Sequence, residues 1–264
     1  MIAAPGRVRP GQPVDLLIED GVQRVLDAAN PDIIVNLAAL TDVDYCETHP
    51  AEAYRVNAGL VLNLVRWIEA KGTHIRLVQA STDQIYDGAG PHRESDVCPT
   101  NFYGYSKCLA EEYVRRVGGL SLRTNFFGRS ARADRASFSD WIVAALRTGK
   151  PITVFEDVLF SPLSLGTLVR SIERVMAGPI SGVFNVGSRD GLSKADFAFH
   201  LAAAAGLPVK TMARGTIAAR PQIARRPRDM RMDSRGIARL TGVPEVDLTT
   251  EIAMVAKGYK DEGS

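Results

Sequence analysis

The sequence predicts an α/β protein with a doubly wound parallel sheet, and three observations carry that expectation. Short apolar runs bounded by turn residues recur along the chain and alternate with helical stripes of ten or more residues. The run Ile33 to Leu37 is continuously apolar, as for a parallel strand buried on both faces. Finally, 264 residues is enough to build one large α/β domain, or a domain plus a small lobe, around a substantial core.

Residues 1–14 carry Pro5, Pro10 and Pro13 with Gly6 and Gly11, which favours an irregular arm. Val22, Val25, Leu26 and Ala29 follow helical spacing from Glu19 to Ala29, and Asn30-Pro31 stops that helix. The strand at 33–37 runs into Ala38, Ala39 and Leu40, small or apolar residues where a backbone can approach a ligand or simply make a tight strand-to-loop transition. From Ala51 to Ala70, Asn57, Leu60, Val61, Leu64, Val65 and Ile68 form one helical stripe on which Asn57 is the polar exception. A strand over 75–81 delivers Thr82, and a loop from Gly88 to Pro99 follows. The next helix begins near Tyr103, runs to about Val117 and stops at Gly118-Gly119. Leu120 to Phe127 reads as a strand, after which helices at 136–148, 164–177 and 193–205 alternate with strands at 152–155 and 183–187.

Composition removes several function classes. A net charge of +2 with mixed acidic and basic content gives no whole-protein case for nucleic-acid or membrane partners. No window approaches the ~18 apolar residues that span a bilayer. Cys46, Cys98 and Cys108 are odd in number and widely spaced, so free thiols in a reducing compartment are expected, with the cytoplasm as the default. Cys46-x-x-His49 lacks a second ligand pair, so no metal site is expected. His74, His92 and His200 are scattered and form no nucleophile triad on paper.

Chemistry concentrates between Gln79 and Lys107. Ser81-Thr82-Asp83 closes a strand, and Tyr103-x-x-x-Lys107 places a phenol and an ammonium on one helical face. A cation near a phenol favours the phenolate and lowers its pKa from about 10, making Tyr103 a general acid/base near neutral pH. Thr82 would hydrogen-bond a substrate carbonyl or alcohol. Such a trio suits hydride transfer, although the spacing alone also fits an ordinary exposed Tyr/Lys pair.

The segments NLAALTDVDYCE (36–47), QASTDQIYDG (79–88), NFYGYSKCLAE (101–111) and LRTNFFG (122–128) resemble the extended short-chain dehydrogenases/reductases, most closely the dTDP-4-dehydrorhamnose reductase group. The likeness continues through FSPLSL (160–165), GVFNVGS (182–188) and ARRPRDMRMD (224–233). It implies a Rossmann-like domain from 1–130 and 163–205 and a small substrate-binding lobe from 131–162 and 206–264. It also implies catalysis by Thr82, Tyr103 and Lys107. NADPH or NADH would bind beside Ala38, Ala39, Leu40, Asn57, Ser81, Tyr103 and Lys107. A nucleotide sugar would meet Thr82, Asp83, Asn125 and Arg226.

One departure stands beside the resemblance. Such proteins open with a strand, a Gly-rich turn and a helix that holds the cofactor pyrophosphate. Gly6 and Gly11 fit no such turn, so the expected sheet lacks its first β-α-β unit, roughly 30 residues or more. The strand at 33–37 would then keep an unpaired edge, favouring reduced stability or a homodimer.

The segment Thr211 to Arg239 holds Arg214, Arg220, Arg225, Arg226, Arg228, Arg231, Arg235 and Arg239. Guanidinium forks suit a diphosphate, while a solvated basic loop is the plainer reading. The order Thr82-Asp83-Gln84 puts an amide where sugar-nucleotide dehydratases carry an acid, which disfavours dehydration. Reduction of a 4-keto-deoxysugar nucleotide is the expected reaction. A 4-epimerase, a non-catalytic sugar-nucleotide-binding or regulatory subunit, and a truncated inactive homologue remain the alternatives.

Overall fold

The computed structural model describes residues 15–72, 75–131, 136–219, 221, 223–242 and 244–260. The arm expected at 1–14, His74 and Arg220 lie outside them. The first half runs α1 (Glu19–Ala29), β1 (Ile33–Asn36), α2 (Val43–Thr48), α3 (Pro50–Tyr54), a π-helical turn (Arg55–Gly59), α4 (Leu60–Lys71), β2 (Arg76–Thr82) and α5 (Phe102–Arg116). Next come β3 (Leu120–Thr124), β4 (Phe126–Phe127), α6 (Phe138–Thr148), β5 (Ile152–Phe155), β6 (Leu159–Phe160), β7 (Leu163–Ser164) and α7 (Leu165–Met176). The chain ends with β8 (Gly182–Val186), β9 (Leu192–Ser193), α8 (Lys194–Ala205), β10 (Met212–Gly215), a 3-10 turn (Ile217–Ala219), β11 (Asp229–Met230), α9 (Arg235–Thr241) and α10 (Leu248–Lys260).

The main sheet has the order β1-β2-β3-β8, and every pairing in it is parallel. Neighbouring residues of β2 point to opposite faces, so Leu77 joins a core with α1, α4 and α5 while Val78 joins a second with α7 and α9. This is the doubly wound arrangement the alternating pattern predicts. The stripe Leu60, Val61, Leu64, Val65 and Ile68 forms the buried face of α4. Left-handed residues stop the helices where the breakers stand, at Asn30 for α1 and Gly72 for α4.

A separate apolar cluster forms the second lobe from α6, α8 and α10 with β5 and β6, centred on Phe127, Phe160 and Phe197. Three small sheets frame it: β5 with β10, β6 between β11 and β9, and β4 with β7. Ala195, Ala198, Leu201 and Ala202 of α8 lie in this cluster, so packing puts residues 194–205 with the lobe rather than with the parallel sheet.

Four local expectations are revised. β1 is not buried on both faces: Ile33 and Val35 are 40% and 37% exposed, because β1 is the terminal strand and β2 is its one partner among the described residues. The helix expected from Ala51 to Ala70 is interrupted by the π turn. The strand expected over 120–127 breaks at Asn125, where the chain leaves the main sheet and Phe126-Phe127 pairs with Leu163-Ser164 instead. The arginine-rich segment is not one loop, since it contains β10, a 3-10 turn, β11 and α9.

Candidate active site

The carboxyl ends of β1, β2 and β3 converge on one side of the sheet, where open α/β folds place their ligands. β2 ends at Thr82 and the first turn of α5 comes up beside it. Asn101 caps α5 by accepting from Gly104 N at 2.8 Å. Gly104 is required there, since a Cβ would lie 2.8 Å from the Gln84 carbonyl oxygen. This close approach presses the start of α5 against the loop that follows Thr82.

Tyr103 and Lys107 sit four residues apart on the buried face of α5, 8% and 2% exposed. Lys107 Nζ donates to the Ala80 carbonyl at 2.7 Å, which fixes the ammonium at the end of β2. Burial pulls its pKa down to about 8, with the Glu111 carboxylate opposing the shift. Ser106 Oγ donates to the Tyr103 carbonyl at 2.7 Å and accepts from Asn57 Nδ2 at 3.0 Å. Asn57 also binds both backbone groups of Leu40, accepting from its N–H at 2.8 Å and donating to its carbonyl at 3.0 Å. The π turn that carries Asn57 thus ties the Ala38-Ala39-Leu40 segment to the helix of Tyr103; such turns recur at functional sites.

A second group of contacts is built around Asp83. Thr82 Oγ1 lies 3.4 Å from Asp83 Oδ1, and Asn125 Nδ2 donates to Asp83 Oδ2 at 2.6 Å. The break in the strand at Asn125 is what turns this amide toward Asp83. Burial pushes the Asp83 carboxyl up to about 6, while Asn125 and the charge of Lys194 pull it back. Arg226 pairs with Asp44 of α2 at 2.9 Å, and Ala224 N donates to the other Asp44 oxygen at 3.0 Å. Asn101 Nδ2 holds the Arg225 carbonyl at 2.9 Å, so the segment 224–226 is fastened onto α2 and the start of α5. Ala224 packs in one cluster with Tyr103, Val43, Cys46 and Ala53.

The structure therefore gathers Tyr103, Lys107, Thr82, Asp83, Asn57, Asn125 and the Leu40 segment around one end of the sheet, with Arg226 at its margin. Ser81 is directed elsewhere, because its hydroxyl donates to Glu111 inside the core. Most of the remaining arginines are committed to carboxylates: Arg214 to Asp196, Arg225 to Asp87, Arg231 to Asp229 and Arg235 to Asp233. Two charged residues with partners around this end of the sheet escaped the sequence reading. Glu111 carried a usable signal, four residues beyond Lys107 on the same face, whereas Lys194 is brought in from the second lobe and carried none.

A family model described as the RmlD substrate binding domain matches residues 3–260. The chain belongs to that family. Among curated relatives, the probable low-salt glycan biosynthesis reductase Agl14 of Haloferax volcanii is 28% identical over 262 residues, spanning 97% of this chain and 87% of that protein. The dTDP-4-dehydrorhamnose reductase of Burkholderia thailandensis is 37% identical over 132 residues, 47% of this chain and 44% of that one. Among solved structures, a hypothetical dTDP-4-dehydrorhamnose reductase from Sulfolobus tokodaii superposes with a TM-score of 0.80 at 28% identity, covering 94% of this chain and 88% of its own.

All three cysteines are free thiols. Cys46 is buried, and burial raises its pKa to about 11, so it is an unreactive packing residue. Among the described residues no group of three His, Cys, Asp or Glu side chains is placed to hold a metal, and no helix is long and apolar enough to cross a membrane.

Proposed function

We propose that this chain is an NAD(P)H-dependent reductase of a 4-keto-deoxysugar nucleotide, with dTDP-4-dehydrorhamnose the substrate to assay first. One observation carries the reading: Tyr103 and Lys107 share the buried face of α5 beside the end of β2, and Thr82 closes that strand. The residues present fit the nicotinamide half of the cofactor. Lys107 is held in place by Ala80, and the Ala38 to Leu40 segment is clamped by Asn57.

Bound NADPH or NADH supplies the hydride that reduces the 4-keto carbon. Thr82 positions the keto oxygen by hydrogen bonding, and Tyr103 delivers a proton to that oxygen, so ketone plus hydride plus proton gives the alcohol. Lys107 holds positive charge beside the phenol and makes phenolate formation easier. Asp83 and Asn125 line the sugar side, and Arg226 suits the diphosphate. Gln84 carries no acid or base for eliminating water, which supports reduction over dehydration.

The reading places the enzyme in the cytoplasm, in keeping with its three free thiols. It also includes a homodimer formed through β1, whose Ile33, Val35 and the following Leu37 are 40%, 37% and 66% exposed. Sedimentation of the purified chain as a stable monomer would count against the dimer. The activity is tested by following NADPH absorbance with dTDP-4-dehydrorhamnose. Consumption by the native chain and its loss in Tyr103→Phe are expected, and equal rates in the two would overturn the assignment.

A further inference from the structure

The parallel ladder between β1 and β2 stops one bond short of the candidate site, and side chains complete it. The two strands are in register from Ile33 opposite Arg76 to Asn36 opposite Gln79, after which β1 ends while β2 runs on to Thr82 beside β3. Arg76 N donates to the Asp32 carbonyl at 3.0 Å, so residues 76, 78 and 80 turn their peptide groups toward β1. One residue further, the same register would put Leu37 opposite Ala80 and give the Ala38 N–H to the Ala80 carbonyl. A chain of side chains replaces that bond. Ala38 N donates to Asn36 Oδ1 at 3.2 Å, Asn36 Nδ2 donates to Gln79 Oε1 at 2.7 Å, and Gln79 Nε2 donates to the Ala80 carbonyl at 2.7 Å. The same carbonyl oxygen then takes Lys107 Nζ, also at 2.7 Å.

Two buried amides thus stand where a single backbone bond would have served. Asn36 and Gln79 are 6% and 1% exposed, and burying polar side chains costs free energy unless each group is bonded. Gln79 is two residues from Leu77, so it lies on the face of the sheet covered by α4 and α5, the side from which Lys107 reaches β2. An amide suits the place because it accepts and donates at once, which a leucine cannot do. The orientation of both amides follows from the ends of the chain. The Ala38 N–H needs an acceptor, which turns Asn36 Nδ2 to Gln79 Oε1 and leaves Gln79 Nε2 for the Ala80 carbonyl. That carbonyl has two lone pairs; Gln79 fills one, and the ammonium of Lys107 fills the other.

Resting on the reductase reading above, we propose that Gln79, supported by Asn36, is a positioning residue for Lys107. The amide chain occupies the Ala38 N–H, keeps the strand from continuing onto Ala80, and holds the freed carbonyl where the ammonium meets it. Lys107 in turn keeps its charge on the face it shares with Tyr103. With the chain cut, the Ala38 N–H can take the Ala80 carbonyl, and the ammonium loses its acceptor.

The test uses the whole chain, isotope-labelled at the lysine Cε carbons, with the variants Gln79→Leu and Asn36→Leu. Nuclear magnetic resonance titration follows the Lys107 ammonium, identified as the signal that Lys107→Met lacks. In both variants its pKa should fall by about one to two pH units, the equivalent of a lost charge-assisted hydrogen bond. The double variant should fall no further than either single one, because each cuts the same chain. Glu111, the charged group that acts on Lys107, is present in all of them. The alkaline limb of kcat/KM should move to lower pH by the same interval. Gln79→Asn, which keeps a buried amide but is one methylene too short to span both contacts, should show the same fall and serves where the leucine variants do not unfold cooperatively. A Lys107 pKa that stays or rises in a folded variant would overturn the proposal and reduce the amides to a prop for the sheet. Should the native chain consume no NADPH, the reductase reading fails, and the titration still decides what holds Lys107.

Discussion

The side-chain amide of Asn57 closes a two-bond ring with the backbone of Leu40, accepting at 2.8 Å and donating at 3.0 Å. Its second donor contact reaches Ser106, one turn from Tyr103. A single buried amide therefore sets the distance between the segment after β1 and the helix that carries Tyr103. Asn57→Ala leaves the Leu40 N–H without its amide partner and the Leu40 carbonyl with only the weak Cys46 thiol donor at 3.6 Å, and should cost about 1–3 kcal/mol of stability. NADPH affinity should fall as well, because the Ala38 to Leu40 segment loses its clamp. Denaturant unfolding and calorimetric titration check the two effects, and unchanged values in both would show the clamp to be idle.

Tyr103→Phe separates chemistry from packing. The ring lies in a cluster with Val43, Cys46, Ala53 and Ala224, and Phe keeps that contact. Removing the hydroxyl should lower kcat by about 10²–10⁴-fold, the usual contribution of a positioned acid/base. NADPH binding should change little. A variant that turned over at the native rate would remove Tyr103 from the mechanism.

Lys107 predicts two pH effects of opposite sense. Its pKa falls from 10.5 in the unfolded chain to about 8 in the folded one. Between those values the unfolded chain binds a proton that the folded chain does not, so stability should rise with pH across that window. Below about pH 8 both states are protonated and the penalty for burying the ammonium is constant. Activity should move the other way, because loss of the ammonium above about pH 8 withdraws the charge that favours the Tyr103 phenolate. Lys107→Met should abolish the stability slope and lower the rate at every pH. Denaturant titrations and kcat/KM profiles on either side of pH 8 distinguish this from a purely structural lysine, which would move the first and not the second.

Much of this architecture was legible in the residue order, and the parts that were not share a cause. The stripe on α4, the turn residues that stop α1 and α4, and the Tyr103 to Lys107 spacing are local signals, read within one or two turns of chain. Tertiary relations left no such mark. Nothing near Asn125 announces that the strand must break so that its amide can reach Asp83, 42 positions earlier. The apolar run at Ile33 looks like an interior strand because its composition does not record which side lacks a neighbour. The arginines after Thr211 look like one basic cluster, yet Arg214, Arg225, Arg231 and Arg235 are each paired with an aspartate. Lys194 is separated from Asp83 by more than half the chain between Thr82 and the C-terminus, so only the fold brings their charges together.

One turn beyond Lys107, α5 is held to the sheet by an ion pair that sets the last prediction. Glu111 receives Arg123 of β3 through Nη2 at 2.6 Å and Nε at 3.0 Å, and it also accepts from Ser81 of β2. The side chains of Arg123 and Glu111 are 4% and 5% exposed. Arg123 further donates to Tyr86 OH at 2.8 Å and to the Glu94 carbonyl at 2.7 Å, and Tyr86 donates to Asn185 at 2.6 Å. Every charge in this network is compensated, so removing one partner should cost more than removing both. Arg123→Met alone strands a buried carboxylate and should destabilise the fold by about 3–5 kcal/mol, whereas the double change Glu111→Leu with Arg123→Met should recover much of that loss. Because Glu111 also favours the charged form of Lys107, the double variant should move the alkaline limb of the rate profile to lower pH. A double-mutant cycle by denaturant unfolding, with kcat/KM profiles for the variants that fold, tests both statements. Additive losses would reduce the pair to independent packing contacts, and an unmoved alkaline limb would separate Glu111 from the chemistry of Lys107.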